Sequence, residues 1–103
     1  MGSWADRAIE QLRAGLTTQI RPRGNSMKGK VESGALVTLE PASHLEVGDV
    51  VLVRVKGNVY LHLIKAVDHD RYLIGNNLRG INGWVGRTAI YGKATKIEDS
   101  NDI

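Results

Sequence analysis

Residues 50–55 (Val-Val-Leu-Val-Arg-Val) and 59–67 (Val-Tyr-Leu-His-Leu-Ile-Lys-Ala-Val) are separated only by Lys56-Gly57-Asn58, and nothing else in the 103-residue chain constrains its fold so tightly. Runs rich in β-branched residues, joined by a short loop containing glycine, predict a β-hairpin with a three-residue loop. In the second run Tyr60, His62, Ile64 and Ala66 share one face, and Val59, Leu61, Leu63 and Val67 share the other. Both faces are largely apolar, so both must be covered and the strand belongs inside a sheet. The remaining apolar residues beyond Thr17 alternate or form short blocks broken by glycine. They predict strands over 17–23, 35–39, 71–74 (after the polar turn Asp68-His69-Asp70) and 89–97. The glycine-rich stretch 80–86 reads as a loop, in which Trp84 either packs to close the barrel or lines a peptide groove. The expected fold class is mainly β: a small curled antiparallel sheet or partly open β-barrel.

One helical period precedes the strands. Ser3 can cap a helix with Asp6 three positions on, Ala5, Ala8, Ile9, Leu12 and Leu16 fall on one face, and Gly15 is a natural stop. The helix is expected to be a lid on the sheet; the alternative is an arm that binds a partner or a membrane surface, although its polar face mixes signs. A chain of this length closes one core. The expected organisation is a single domain over 1–103, with the helix over 1–16, the β domain over 17–97 and a polar tail over 98–103.

Composition removes several function classes. There is no cysteine, which excludes disulfides, thiolate zinc sites and a cysteine nucleophile, and fits a cytoplasmic protein. His44, His62 and His69 are scattered without a close ligand pair, so no metal and no cofactor is expected. The net charge of +3 is mild and dispersed. Arg21, Arg23, Lys28 and Lys30 cluster locally but carry no interleaved aromatics, so specific nucleic-acid binding is not expected, and a nucleic-acid-binding barrel is the weakest reading. No apolar run approaches the roughly 18 residues that span a bilayer, so no transmembrane segment is expected.

The chemistry-bearing feature is Gly24-Asn25-Ser26-Met27, directly after a predicted strand. A sharp turn there holds the serine side chain away from the backbone, with Met27 as its anchor. A serine hydroxyl needs a base to take its proton. His62, on the central strand, is the candidate, because burial lowers its pKa and keeps the imidazole neutral. Lys65 lies an odd number of residues away and is expected on the opposite face.

These residues carry a family resemblance. Gly24-Asn25-Ser26-Met27, then Gly48-Asp49 before the run at 50–53, Val59-Tyr60-Leu61-His62, Ile74-Gly75-Asn76-Asn77, Gly83-Trp84-Val85 and Ile90-Tyr91-Gly92-Lys93 resemble, in order and spacing over about 20–97, the signal peptidase and LexA-like serine peptidase superfamily. The resemblance implies a serine peptidase with Ser26 as nucleophile, His62 as base in the manner of the histidine branch, and an extended peptide or protein as substrate beside a strand edge. It also places Asn76 where that branch has the aspartate that orients histidine, Gly29 where the family commonly has proline, and Gly34-Ala35 where a Gly-Asp pair is usual. With asparagine in the third place, hydrolysis is expected to be weakened, unless Asp49, Asp68 or Asp70 reaches the imidazole. The alternative is a non-catalytic peptidase-fold module that binds a peptide or protein partner.

Overall fold

The structure is a computed structural model and describes residues 4–99. Helix α1 (Asp6–Arg13) precedes strands β1 (Thr18–Ile20), β2 (Leu36–Pro41), β3 (Val50–Val55), β4 (Asn58–Asp68), β5 (Arg71–Gly75) and β6 (Ile81–Gly86); a short 3-10 turn (Arg87–Ala89) then leads into β7 (Ile90–Glu98). The strands form one antiparallel seven-stranded sheet in the order β1-β2-β7-β3-β4-β5-β6, curled into a half-barrel. The hairpin is tighter than its sequence suggests. Val55 pairs with Asn58, leaving Lys56 and Gly57 as a two-residue turn with both φ angles positive, at 50° and 86°. Such a turn matches the right-handed twist of the flanking strands.

β3 lies between β7 and β4 and is buried throughout except at Arg54, as its unbroken apolar run over 50–53 requires. The alternation along β4 divides the interior into two clusters. Leu61 and Leu63 pack with Val50, Leu52, Val37, Leu39 and the helix; Ile64 packs with Val51, Val53, Tyr72, Ile74, Val85 and Ile90.

The helix is a lid: Ala5, Ala8, Ile9 and Leu12 are buried in the same cluster as Ile20, Val37 and Leu39. Covering Leu12 alone is worth about 1.5–3 kcal/mol. β7 makes room for it at Gly92, where an added Cβ would stand 2.7 Å from the Glu40 carbonyl oxygen and 2.9 Å from both Leu12 methyls. Two sequence expectations need correction here. Leu16 is exposed, because the helix ends at Arg13 and the chain turns away at Gly15. The stretch 80–86 is not a loop but holds the sheet's edge strand β6, which pairs with β5 through an irregular register that conceals its alternation. The Ser3 cap lies outside the described residues, and Ala5 holds the N-cap position. The tail expected over 98–103 begins with Glu98 still in β7, and residues 100–103 lie outside the described part.

Candidate active site

Ser26 sits on the long connection between β1 and β2, held from below by its neighbours. Met27 and Val31 are buried in the cluster under the helix, and the Val31 N–H donates to the Met27 carbonyl at 2.7 Å. Gly29, where the resemblance expects proline, has φ +93° and donates its N–H to Glu32 Oε2 at 2.8 Å. Proline can do neither, since its φ is locked near −65° and it has no N–H. From the other side the loop after β5 clamps the serine: the Asn77 N–H donates to the Ser26 carbonyl at 3.0 Å, and Asn77 Nδ2 donates to the Lys28 carbonyl at 2.8 Å. The Ser26 side chain is left exposed to a cleft.

His62 stands on β4 opposite Val51 and is only 6% exposed. Its Nε2 lies 3.2 Å from Ser26 Oγ, and its Nδ1 lies 2.6 Å from the Asn82 amide oxygen. An amide oxygen only accepts, so Nδ1 carries the proton and Nε2 presents its lone pair to the serine. Desolvation by burial lowers the His62 pKa below its ordinary value of 6.5, and the hydrogen bond with Asn82 opposes part of that shift. A neutral ring with a free lone pair toward a hydroxyl is the state a general base requires.

Asn76 is not at the histidine. Its Oδ1 accepts from the backbone N–H groups of Leu78 and Gly80, at 2.8 and 2.7 Å, and so shapes the loop that clamps Ser26. The residue on His62 Nδ1 is Asn82, one strand later. It is the extra residue of an irregularity in which Ile74 pairs with Gly83 and Gly75 with Ile81, and such bulges re-aim a side chain. The one signal for it in the sequence is Asn82-Gly83, which reads equally well as a turn. Asn77 was legible only as part of a motif. Lys65 is likewise an extra residue, between Ile64 and Ala66, and its Nζ donates to the Asn76 carbonyl at 3.0 Å. The carboxylates stand elsewhere: Asp49 accepts from the Glu46 N–H and lies 3.6 Å from Lys93 Nζ, Asp68 contacts His69 at 2.8 Å, and Asp70 is exposed in the β4–β5 turn. Trp84 is half-exposed opposite Leu73 and does not line the cleft.

The cleft has a volume of about 460 Å³. Met27, Val31, Val59 and Leu61 give it an apolar floor around Ser26 and His62, and exposed Arg21, Arg23 and Glu32 add charge. One wall is a strand edge. β3 pairs with β4 from Asn58 to Leu63, whereas β5 pairs with β4 only from Leu63 onward. Counting from the closing pair Val55 and Asn58, the alternation of an antiparallel ladder turns the peptide groups of 58, 60 and 62 toward β3, and those of Val59 and Leu61 toward the cleft. Among the described residues no group of three or more His, Asp or Glu could hold a metal ion, and no helix is long and apolar enough to cross a membrane.

Residues 9–83 match the model of a family described as Peptidase S24-like. No curated protein matches the chain.

Proposed function

Since the chain belongs to the Peptidase S24-like family, we propose that it is a serine peptidase in which Ser26 is the nucleophile, His62 the general base and Asn82 the residue that orients the base. The observation that carries this reading is the relay itself: 3.2 Å from Ser26 Oγ to His62 Nε2, and 2.6 Å from Nδ1 to the Asn82 amide oxygen. As Ser26 Oγ attacks the substrate carbonyl carbon, its proton passes to Nε2 and the carbonyl electrons move to oxygen. The Ser26 backbone N–H is the donor assigned to that oxyanion in this reading. His62 then gives the proton to the leaving amine, and water attacks the acyl-enzyme by the same relay in reverse.

The substrate is an extended peptide segment laid along the open edge of β4, taking backbone hydrogen bonds from Val59 and Leu61 and an apolar side chain over Met27 and Val31. The cysteine-free composition favours the cytosol as the place where it works. One feature supports a second reading, a peptide-binding module without catalysis: an amide, not a carboxylate, stands behind His62. A fluorophosphonate probe followed by mass spectrometry decides between them. Labelling of Ser26 that His62→Ala abolishes is the outcome expected of a peptidase; a Ser26 that stays unlabelled while the protein binds extended peptides identifies the module.

A further inference from the structure

Taking the serine proton makes His62 an imidazolium in a nearly buried position, and the groups around the ring must accommodate that charge. Across the sheet β3 presents Val51, which is apolar, and β6 presents Asn82, whose amide orients the ring but carries no net charge. The ionisable side chains sharing the cleft are Arg21, Arg23 and Glu32, and the Glu32 carboxylate is engaged by the Gly29 N–H. Tyr60 remains. Two residues before His62, and therefore on the same face of β4, it stacks its ring on the imidazole with centroids 4.7 Å apart and planes inclined by 23°.

We propose that Tyr60 is a positioning residue for the base, holding the His62 ring by stacking and stabilising its cationic form through the aromatic π face, and so taking over part of the role that a carboxylate has in other triads. The face of an aromatic ring carries the negative lobe of its quadrupole, and a cation within about 6 Å of the centroid is attracted to it. The contact favours the protonated ring, whereas burial favours the neutral one. Stacking leaves Nδ1 and Nε2, which lie in the ring plane, free for Asn82 and Ser26. A half-buried tyrosine lining the cleft can hold this place without filling the position of the serine.

The catalytic consequence rests on the reading of Ser26 and His62 as a peptidase pair; the effect on the ring does not. The test is an NMR titration of the histidine ring protons in Ser26→Ala protein carrying Tyr60, Tyr60→Leu, Tyr60→Phe or Tyr60→Trp, with the exposed His44 and His69 as internal controls for global change. Tyr60→Leu is expected to lower the His62 midpoint by about half a pH unit. Tyr60→Phe keeps it near the wild-type value, and Tyr60→Trp holds or raises it, because indole is the strongest of the three faces. With Ser26 restored, kcat falls about two- to fivefold in Tyr60→Leu and recovers in Tyr60→Phe. A midpoint that stays put or rises in Tyr60→Leu, or that falls as far in Tyr60→Phe, overturns the inference. A Ser26 that labels in a protein whose midpoint ignores Tyr60 defeats this inference alone. A midpoint that follows Tyr60 in a protein whose Ser26 never labels upholds the ring contact and defeats the peptidase reading.

Discussion

Asn82→Asp is the most direct perturbation of the proposed relay. The two side chains have the same shape, so the change places a formal charge where the amide oxygen now lies, 2.6 Å from His62 Nδ1. Opposite unit charges about 4 Å apart interact by about 4 kcal/mol at an effective dielectric constant near 20. The carboxylate also loses hydration on entering the site, so the net effect is smaller. A carboxylate this close is expected to raise the His62 pKa by about 1–3 units, equivalent to about 1.4–4 kcal/mol. The same interaction stabilises the imidazolium forming in the transition state, where exchanging the triad aspartate for asparagine costs about 10⁴ in rate in a well-studied protease. Adding the carboxylate to a site not built around it should recover only part of this, about ten- to a hundredfold in kcat.

In the wild type burial holds the His62 pKa below 6.5, so the base is already neutral at neutral pH and the rate climbs through that lowered midpoint. In Asn82→Asp the midpoint moves up, and part of the base is protonated at neutral pH. A comparison at one pH therefore understates the gain. The assay is the rate of Ser26 labelling by the fluorophosphonate, or of activated-ester hydrolysis, followed from about pH 5 to pH 10 and compared on the plateau. Asn82→Ala must lower the plateau, because Nδ1 is then unheld. An Asn82→Asp protein with an unmoved midpoint and an unchanged plateau would mean that Asn82 does not orient the base.

Asn76→Asp, in contrast, should leave the rate essentially unchanged, because its Oδ1 serves the N–H groups of Leu78 and Gly80; Asn76→Ala leaves those donors without their acceptor and should lower stability by about 1–3 kcal/mol in denaturant titrations. Gly92→Ala drives a methyl into the Glu40 carbonyl and the Leu12 side chain and should cost about 1–3 kcal/mol by the same measurement, with the helix loosened first in hydrogen exchange. Because His62 has a lower pKa folded than unfolded, the stability it contributes is complete above 6.5 and is lost as pH falls through the folded value. The stability difference between wild type and His62→Gln should therefore shrink over that window, and a difference independent of pH would contradict the buried, neutral ring.

The parts of this molecule that follow from neighbours along a single strand were legible in the sequence. Two-faced apolar runs put β3 and β4 at the centre of the sheet, and parity along β4 placed His62 on the face of Tyr60 and Ile64. The helix face was legible as far as Leu12 but not at Leu16, since a 3, 4 spacing continues on paper after the backbone has turned. What parity cannot reach is a residue whose direction depends on its partner strand. Lys65 and Asn82 are both such residues: each is the unmatched member of a register shift, one in β4 against β5 and the other in β6 against β5. They also connect the pair to its surroundings, Lys65 by holding the Asn76 carbonyl of the loop that clamps Ser26, and Asn82 by holding the imidazole. A one-residue slip of β6 along β5 would turn Asn82 off the ring while leaving Ser26 and His62 on their own elements, because side-chain direction in a strand reverses with every residue. In the proposed mechanism the nucleophile and base thus follow from local patterning, whereas the orientation of the base depends on strand register. That is why the asparagine expected from motif order, Asn76, folds the loop by accepting from the N–H groups of Leu78 and Gly80, while the one on the histidine, Asn82, comes from the edge strand that a glycine-rich sequence concealed.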